Sequence, residues 1–421
     1  MKYIIYAMTL LVSSMAHAYT IHNPSSQNPV KALVIAPVID LVAQSLSKQF
    51  PNQSTAESYR SIPICWGPEK KDYAVCPRVH QALFNETVEV IGQNSDEYQV
   101  KISTAFYDHQ TTGEPQSTYW MLKGNLIELD ELYVKKQNRA TIPKPISYTS
   151  TINSDTQIAT LILPFYDPIT QLTFSVGTRF IVTPDQVYNQ MHTVYVFNPK
   201  SGHVVTTDIP KRLCTLSWPT LSKRAAQQNM VQLLRTWTHL SSGVVPLVWG
   251  GVSFTQPVVA NDFIIQHKAV LGVLLAYWQR SPLLKPPFAG FDASGLICRA
   301  AQVYDIPYYF KNSKTAATHL APLRSYDSIE EGDIIVIPGG ILMVSSTQPN
   351  NHAVISSCSY SSGYGCVVEL KLKDLFENIA TFDDLQQAYN ARQPLHTKDA
   401  RGNHLNTYST FSIHKFSSIW N

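Results

Sequence analysis

Between Val79 and Ile209 the chain is a succession of short apolar–polar alternations broken by Asn, Asp, Gly and Pro, a rhythm that restricts it to small antiparallel sheets. Glu86–Ile91, Tyr98–Ile102 and Tyr119–Leu122 form one group of such runs; Leu161–Phe165, Leu172–Val176 and Thr193–Phe197 form a second. Two small all-β barrels, residues 76–142 and 150–215, are the simplest account, with Pro143, Pro145 and the Ser/Thr-rich stretch 147–156 linking them. Charged residues are 15% of the chain, against about a quarter in ordinary globular proteins, while Tyr (22) and Pro (26) are plentiful. That balance suits strands and turns and excludes a helical bundle or a disordered chain. The preceding segment, 19–75, offers one helical candidate, Val38–Phe50, between proline-rich flanks, and is expected to pack on the other domains.

The texture changes at Ser222. From Lys223 to Leu240 the apolar residues Ala226, Met230, Leu233, Leu234 and Trp237 recur at helical spacing, with Ser222 as N-cap. Pro246–Gly251 reads as a turn, and Gly295–Tyr304 as a second helix. Strands follow at Asp333–Ile337, Ala353–Ile355 and Val367–Leu370. A helix followed by an antiparallel sheet is an α+β arrangement, so the expected fold is multidomain, two small all-β units ahead of an α+β domain at 222–421.

Lys2, the apolar run Tyr3–Val12 and Ala16-His17-Ala18 have the order of a secretory signal peptide, residues 1–18. No cysteine follows for a lipid anchor, and no later stretch predicts a membrane span. The mature chain is therefore expected outside the cytoplasm, periplasmic or secreted, as a monomer. A net charge of +3 makes no case for nucleic acid, and nothing implies a cofactor or metal. The six cysteines, an even number in an oxidising compartment, suggest disulfides. Cys65 with Cys76, and Cys358 with Cys366, lie close enough in sequence to close small loops, and Cys214 and Cys298 complete the set.

A thiol nucleophile needs a lowered pKa, a base within hydrogen-bond reach and a third group to orient that base. The start of a helix supplies the first through its dipole and free N–H groups. Here the helix start is Asp292-Ala293-Ser294-Gly295, a histidine enters a strand at His352, and Glu369 lies on the next. Spacing alone favours ordinary surface or packing roles for both His352 and Glu369.

Four ordered motifs add to this: Trp249-Gly250-Gly251, Phe291-Asp292-Ala293-Ser294-Gly295-Leu296, Glu331-Gly332-Asp333-Ile334-Ile335 and His352-Ala353-Val354-Ile355. Together they resemble the NlpC family (NlpC/p-sixty), papain-like cell-wall cysteine peptidases, over residues 222–421. The preceding repeats resemble the bacterial SH3-like domains that accompany some of these enzymes. The resemblance implies cleavage of peptidoglycan stem peptides, commonly at the γ-D-glutamyl bond to a diamino acid. It puts the base on His352 and its orienting residue on Glu369. Asp292 and Ser294 would help hold the free amine of the stem's first alanine, with Trp249, Tyr119 and Trp120 near the same pocket. The nucleophile position falls on Ala293, which has no group that can attack a carbonyl. Cys298 does not replace it, since five helical residues turn it about 140° away and move it about 7.5 Å along the axis. Ser294 is rotated about 100°.

Three readings follow: a protein that recognises peptidoglycan stems without cutting them, an active endopeptidase whose cysteine was replaced, or a structural or partner-binding envelope protein. The stretch 252–289 is longer than the resemblance requires, and residues 311–317 lack its usual Arg and Gln.

Overall fold

A computed structural model describes residues 21–65, 76–108, 115–134, 157–184, 190–217, 221–241, 243–257 and 287–420. The segments expected as a signal peptide (1–18) and a linker (143–156), and most of the 252–289 stretch, lie outside the described residues.

The first β group is an antiparallel sheet of seven strands, ordered Arg78–Leu83, Val38–Val42, Thr118–Leu122, Glu97–Lys101, Thr87–Gln93, Val30–Val34 and Leu126–Glu128. Two of these strands come from the segment before residue 76. Val38–Phe50, expected as a helix, instead gives the Val38–Val42 strand, buried throughout, and then a single turn of helix at Leu46–Gln49. The β-branched Val38, Ile39 and Val42 directly after Pro37 suit a strand buried on both faces, and a short apolar run carries no period that distinguishes the two. Glu97 fastens the segment. Its carboxylate accepts from Ser45 Oγ at 2.6 Å, the Leu46 N–H at 2.9 Å, Ser47 Oγ at 2.8 Å, Tyr59 Oη at 3.0 Å and Asn94 Nδ2 at 2.9 Å.

The second β group is a three-stranded sheet, Arg179–Ile181, Ile158–Leu161 and Cys214–Leu216, with the hairpins Phe165–Asp167/Leu172–Phe174 and Met191–Asn198/His203–Pro210. Neither group closes into a barrel among the described residues. Their cores are not separate either: Leu33, Phe84 and Ile127 of the first pack with Phe174, Phe180 and Val196 of the second. Phe84 and Phe174 have ring centroids 4.8 Å apart.

The C-terminal unit is built on a six-stranded antiparallel sheet ordered Ala321–Pro322, Ser412–Lys415, Ile334–Ile337, Gly340–Gln348, Asn351–Ser357 and Val367–Lys371. Alternation along each strand divides its side chains between two cores. Ile334, Ile341, Met343, Ile355 and Val367 meet the long helix Lys223–Thr238 and the site helix Ala293–Val303. Ile335, Leu342, Val344, Val354 and Leu370 face the other way, toward the helices Leu372–Leu375 and Phe382–Asn390. Ser222 caps the long helix by accepting from the Ala225 N–H at 3.2 Å. Among the described residues no helix is long and apolar enough to cross a membrane.

Candidate functional site

The Trp249–Gly251 turn brings the two halves of the chain together at the start of the site helix. Gly250 has φ +72°, and a Cβ there would stand 2.4 Å from the Arg78 carbonyl oxygen. A Cβ on Gly295, in the first turn of the helix, would stand 2.1 Å from the Gly251 carbonyl oxygen. Backbone therefore lies against backbone, which only glycine allows. Phe291 leads into the helix with its ring stacked on Trp237 at 5.0 Å, and its carbonyl accepts from Ser357 Oγ at 2.6 Å.

Asp292 is the N-cap. Its Oδ1 accepts from the Gly295 N–H and from Ser294 Oγ at 2.8 Å. Ala293 begins the helix, partly exposed, at the point where helix dipole and unpaired N–H groups favour negative charge. Asp292, Ala293 and Ser294 are thus brought together as the sequence motif implied.

The expected base and its orienting residue are not. The Asn351–Ser357 strand meets the site helix through Ser357, whereas His352 pairs with Thr347 beside the two-residue turn at the far end of the hairpin. Five residues of strand separate them by about 16 Å. His352 also has the parity of Val354, so it faces the second core, its ring 5.4 Å from Phe382 in an edge-on contact. Its Nδ1 is buried without a hydrogen-bond partner among the described residues. Glu369 is cross-strand from Ile355 and pairs with Arg235 of the long helix at 3.5 Å, on the opposite face from His352. To the site helix the sheet presents Ile341, Met343 and Ile355, with Ser357 at the helix start, and none of these can serve as a general base.

Tyr119 is core. It is 1% exposed, and its hydroxyl donates to the carbonyls of Ala105 at 3.0 Å and Gln116 at 3.3 Å. Trp120 lies under the Lys48 ammonium at 5.7 Å from its ring centre. Trp249 is partly buried, with its N–H on the Ile64 carbonyl and its own carbonyl on Arg78. All six cysteines are free thiols, contrary to the disulfides expected for Cys65 with Cys76 and Cys358 with Cys366. Burial pushes the thiols of Cys65, Cys358 and Cys366 up to about 12. Cys298, on the buried side of the site helix, has its Sγ 3.4 Å from the Tyr308 carbonyl.

What does surround the helix start is a set of buried polar contacts that the motifs did not indicate. The Lys311 ammonium lies 3.0 Å from Asp292 Oδ2 and donates to the carbonyls of Val79 and Gly250 at 2.9 Å each. Arg78, fully buried, makes a bidentate pair with Asp40 at 2.7 and 3.0 Å and donates to Pro63 and Trp249 carbonyls. The Gln81 amide spans Asp40, Phe288, Val252 and Ser253. Arg299, inside the helix, reaches the Val252 carbonyl at 2.9 Å and Glu86 at 2.8 Å. His80 stacks on Tyr119, and burial, reinforced by Lys311 and Arg299, holds its pKa well below 6.5. A parallel pairing of Phe310–Lys311 with Phe106–Asp108 completes the joint. The sequence carried one signal for this: Lys311 ends the run Tyr308-Tyr309-Phe310, and a lysine in so apolar a context requires a partner.

These elements define a mixed α/β protein whose C-terminal unit packs an Asp-capped helix, headed by alanine, on an antiparallel sheet. No family model matches the chain, and no curated protein matches it. Among solved structures it is similar to the crystal structure of an NlpC/p-sixty family protein from Bacillus cereus, at TM-score 0.48 and 13% identity over 81% of this chain and 93% of that one. It is also similar to NlpC2 from Trichomonas vaginalis, at TM-score 0.30 and 11% identity over 82% and 94%. NlpC1 from the same organism gives TM-score 0.29 and 11% identity over 84% and 90%.

Proposed function

We propose that this chain is a non-hydrolytic, peptidase-shaped protein of the bacterial cell envelope, in which the start of the site helix has become a structural joint between the two halves. The observation that carries this is the Lys311–Asp292 pair beneath Ala293. The nucleophile position has a methyl group, the sheet residues Ile341, Met343 and Ile355 that pack on the site helix carry no base, and the carboxylate beside it is already neutralised by an internal ammonium. The reading of an active enzyme altered at one cysteine loses support for the same reason. Restoring the thiol alone would not bring His352 to it, because that ring faces Phe382. Incubating the purified chain and Ala293→Cys with tripeptide and tetrapeptide murein stems should yield no new amine from either, and turnover by either overturns the proposal.

A second reading, recognition of murein stems through Asp292 and Ser294, is favoured by the partial exposure of Asp292 and Ala293 at the helix start, where the buried Ser294 Oγ donates to Asp292 Oδ1. A free α-amine would there compete with the Lys311 ammonium for Asp292 Oδ2. Calorimetric titration with an L-alanyl stem peptide separates the readings: a structural joint gives no heat of binding, and saturable binding lost in Ser294→Ala supports recognition.

A further inference from the structure

Away from the site helix, three potential metal ligands converge where the last helices meet the C-terminal hairpin. We propose that Glu377, His396 and His404 form a binding site for a divalent transition-metal ion of the zinc class. One carboxylate oxygen and one nitrogen from each ring lie within 4.8 Å of one another. Three backbone segments deliver them. Phe376 bridges Thr397, and the Glu377 N–H donates to the His396 carbonyl at 2.9 Å, so the carboxylate stands beside the first imidazole. His396 pairs with Thr407 and Lys398 with His404 across the hairpin, and an irregularity in register between Thr397 and Lys398 draws the two imidazoles to the same place.

The polar contacts around the rings fit this role. His404 Nδ1 is 2.9 Å from Glu377 Oε1, which leaves its Nε2 toward Thr407 Oγ1 at 3.3 Å. His396 Nδ1 is 3.0 Å from the same hydroxyl. One threonine oxygen thus faces both imidazoles, the arrangement by which a neighbouring acceptor fixes ring orientation and tautomer in metal sites. Lys398, whose neighbours in the hairpin carry the cluster, is engaged elsewhere, its Nζ donating to the Lys373 carbonyl. Two imidazoles and a carboxylate suit Zn²⁺ or Co²⁺, whereas Ca²⁺ and Mg²⁺ take oxygen ligands. Bonds of about 2.0–2.2 Å to each ligand require only modest side-chain closure, and three protein ligands leave a coordination position open to water. Glu377 and His404 are exposed and His396 partly so, and an ion can therefore enter from solvent.

The test is titration of the full chain, stripped of metal, with Zn²⁺ by calorimetry and with Co²⁺ by visible absorption. One ion per chain is expected, with Co²⁺ bands free of thiolate charge transfer. His396→Ala and His404→Ala should each weaken binding by at least tenfold, and Thr407→Val by about tenfold through loss of the orienting oxygen. His203→Ala, an exposed histidine on another hairpin, serves as the matched control and should bind as the wild type does. Circular dichroism of each metal-free variant checks that the fold is retained. Absence of one-to-one binding, wild-type affinity in both the His396 and His404 variants, or a thiolate charge-transfer band each overturns the proposal.

Discussion

Replacing Lys311 by methionine keeps the apolar stem and deletes the ammonium, which isolates what that charge contributes. In the wild type the group is buried, its side chain 2% exposed, and it serves three acceptors: Asp292 Oδ2 and the carbonyls of Val79 and Gly250. Removing one partner of a buried ion pair costs about 3–5 kcal/mol, because the other charge is left uncompensated. The Asp292 side chain is 18% exposed, so water can reach it and the lower end, about 3 kcal/mol, applies. Each orphaned buried carbonyl adds about 1 kcal/mol. The expected loss is therefore about 5 kcal/mol, comparable to the whole stability of a marginal domain, about 5–15 kcal/mol. Adding Asp292→Asn removes the stranded charge while keeping a good N-cap. The double variant should then be about 2 kcal/mol more stable than Lys311→Met alone, so that the single effects do not add, as is normal for residues in contact. Urea unfolding followed by tryptophan fluorescence measures all four corners of the cycle. A Lys311→Met variant within about 1 kcal/mol of wild type, or single effects that simply add, would refute the claim that this pair holds the joint together.

Other consequences are as direct. Gly295→Ala, normally favourable inside a helix, should instead destabilise and lower the melting temperature, because its Cβ would stand 2.1 Å from the Gly251 carbonyl oxygen. Burial alone would raise the Glu97 carboxyl, but hydrogen bonds from Ser45, Asn94, the Leu46 N–H and Ser47 hold it below the ordinary 4.5. Its contribution is thus present above that pH and is lost as pH falls through the depressed folded value, so Glu97→Gln should flatten the acid limb of a stability–pH profile; an unchanged limb would contradict the assignment. Thiol titration in denaturant without reductant should return six thiols, slow to react in the native state, whereas two or four would restore the disulfides expected from spacing.

Much of the C-terminal unit was legible because local chemistry and fold agree there. Ser222 caps the long helix and Asp292 the site helix, and the strands begin and end within a few residues of their apolar runs. The Trp249-Gly250-Gly251 motif marked a real constraint, although what it records is the close approach of Arg78, Gly251 and Gly295 backbones rather than chemistry. His352 misled because order along the chain does not reveal how far a hairpin extends. The Gly340–Gln348 and Asn351–Ser357 strands are long, the turn takes two residues, and His352 is left at the tip on the far face. The two barrels misled differently. Alternation specifies strands but not their partners, and here residues 30–42 enter the first sheet while the two β groups share one aromatic core. The roles of Lys311, Arg78 and Gln81 depend on carbonyls up to 232 residues away, which no local pattern encodes.

The central claim is that this helix start supports structure and not hydrolysis, and Ala293→Cys tests it most directly. The variant should fold, acquire one thiol, and release no amine from murein tripeptide or tetrapeptide stems. Turnover of either stem, abolished by His352→Ala, would place a working base beside residue 293 and contradict the account.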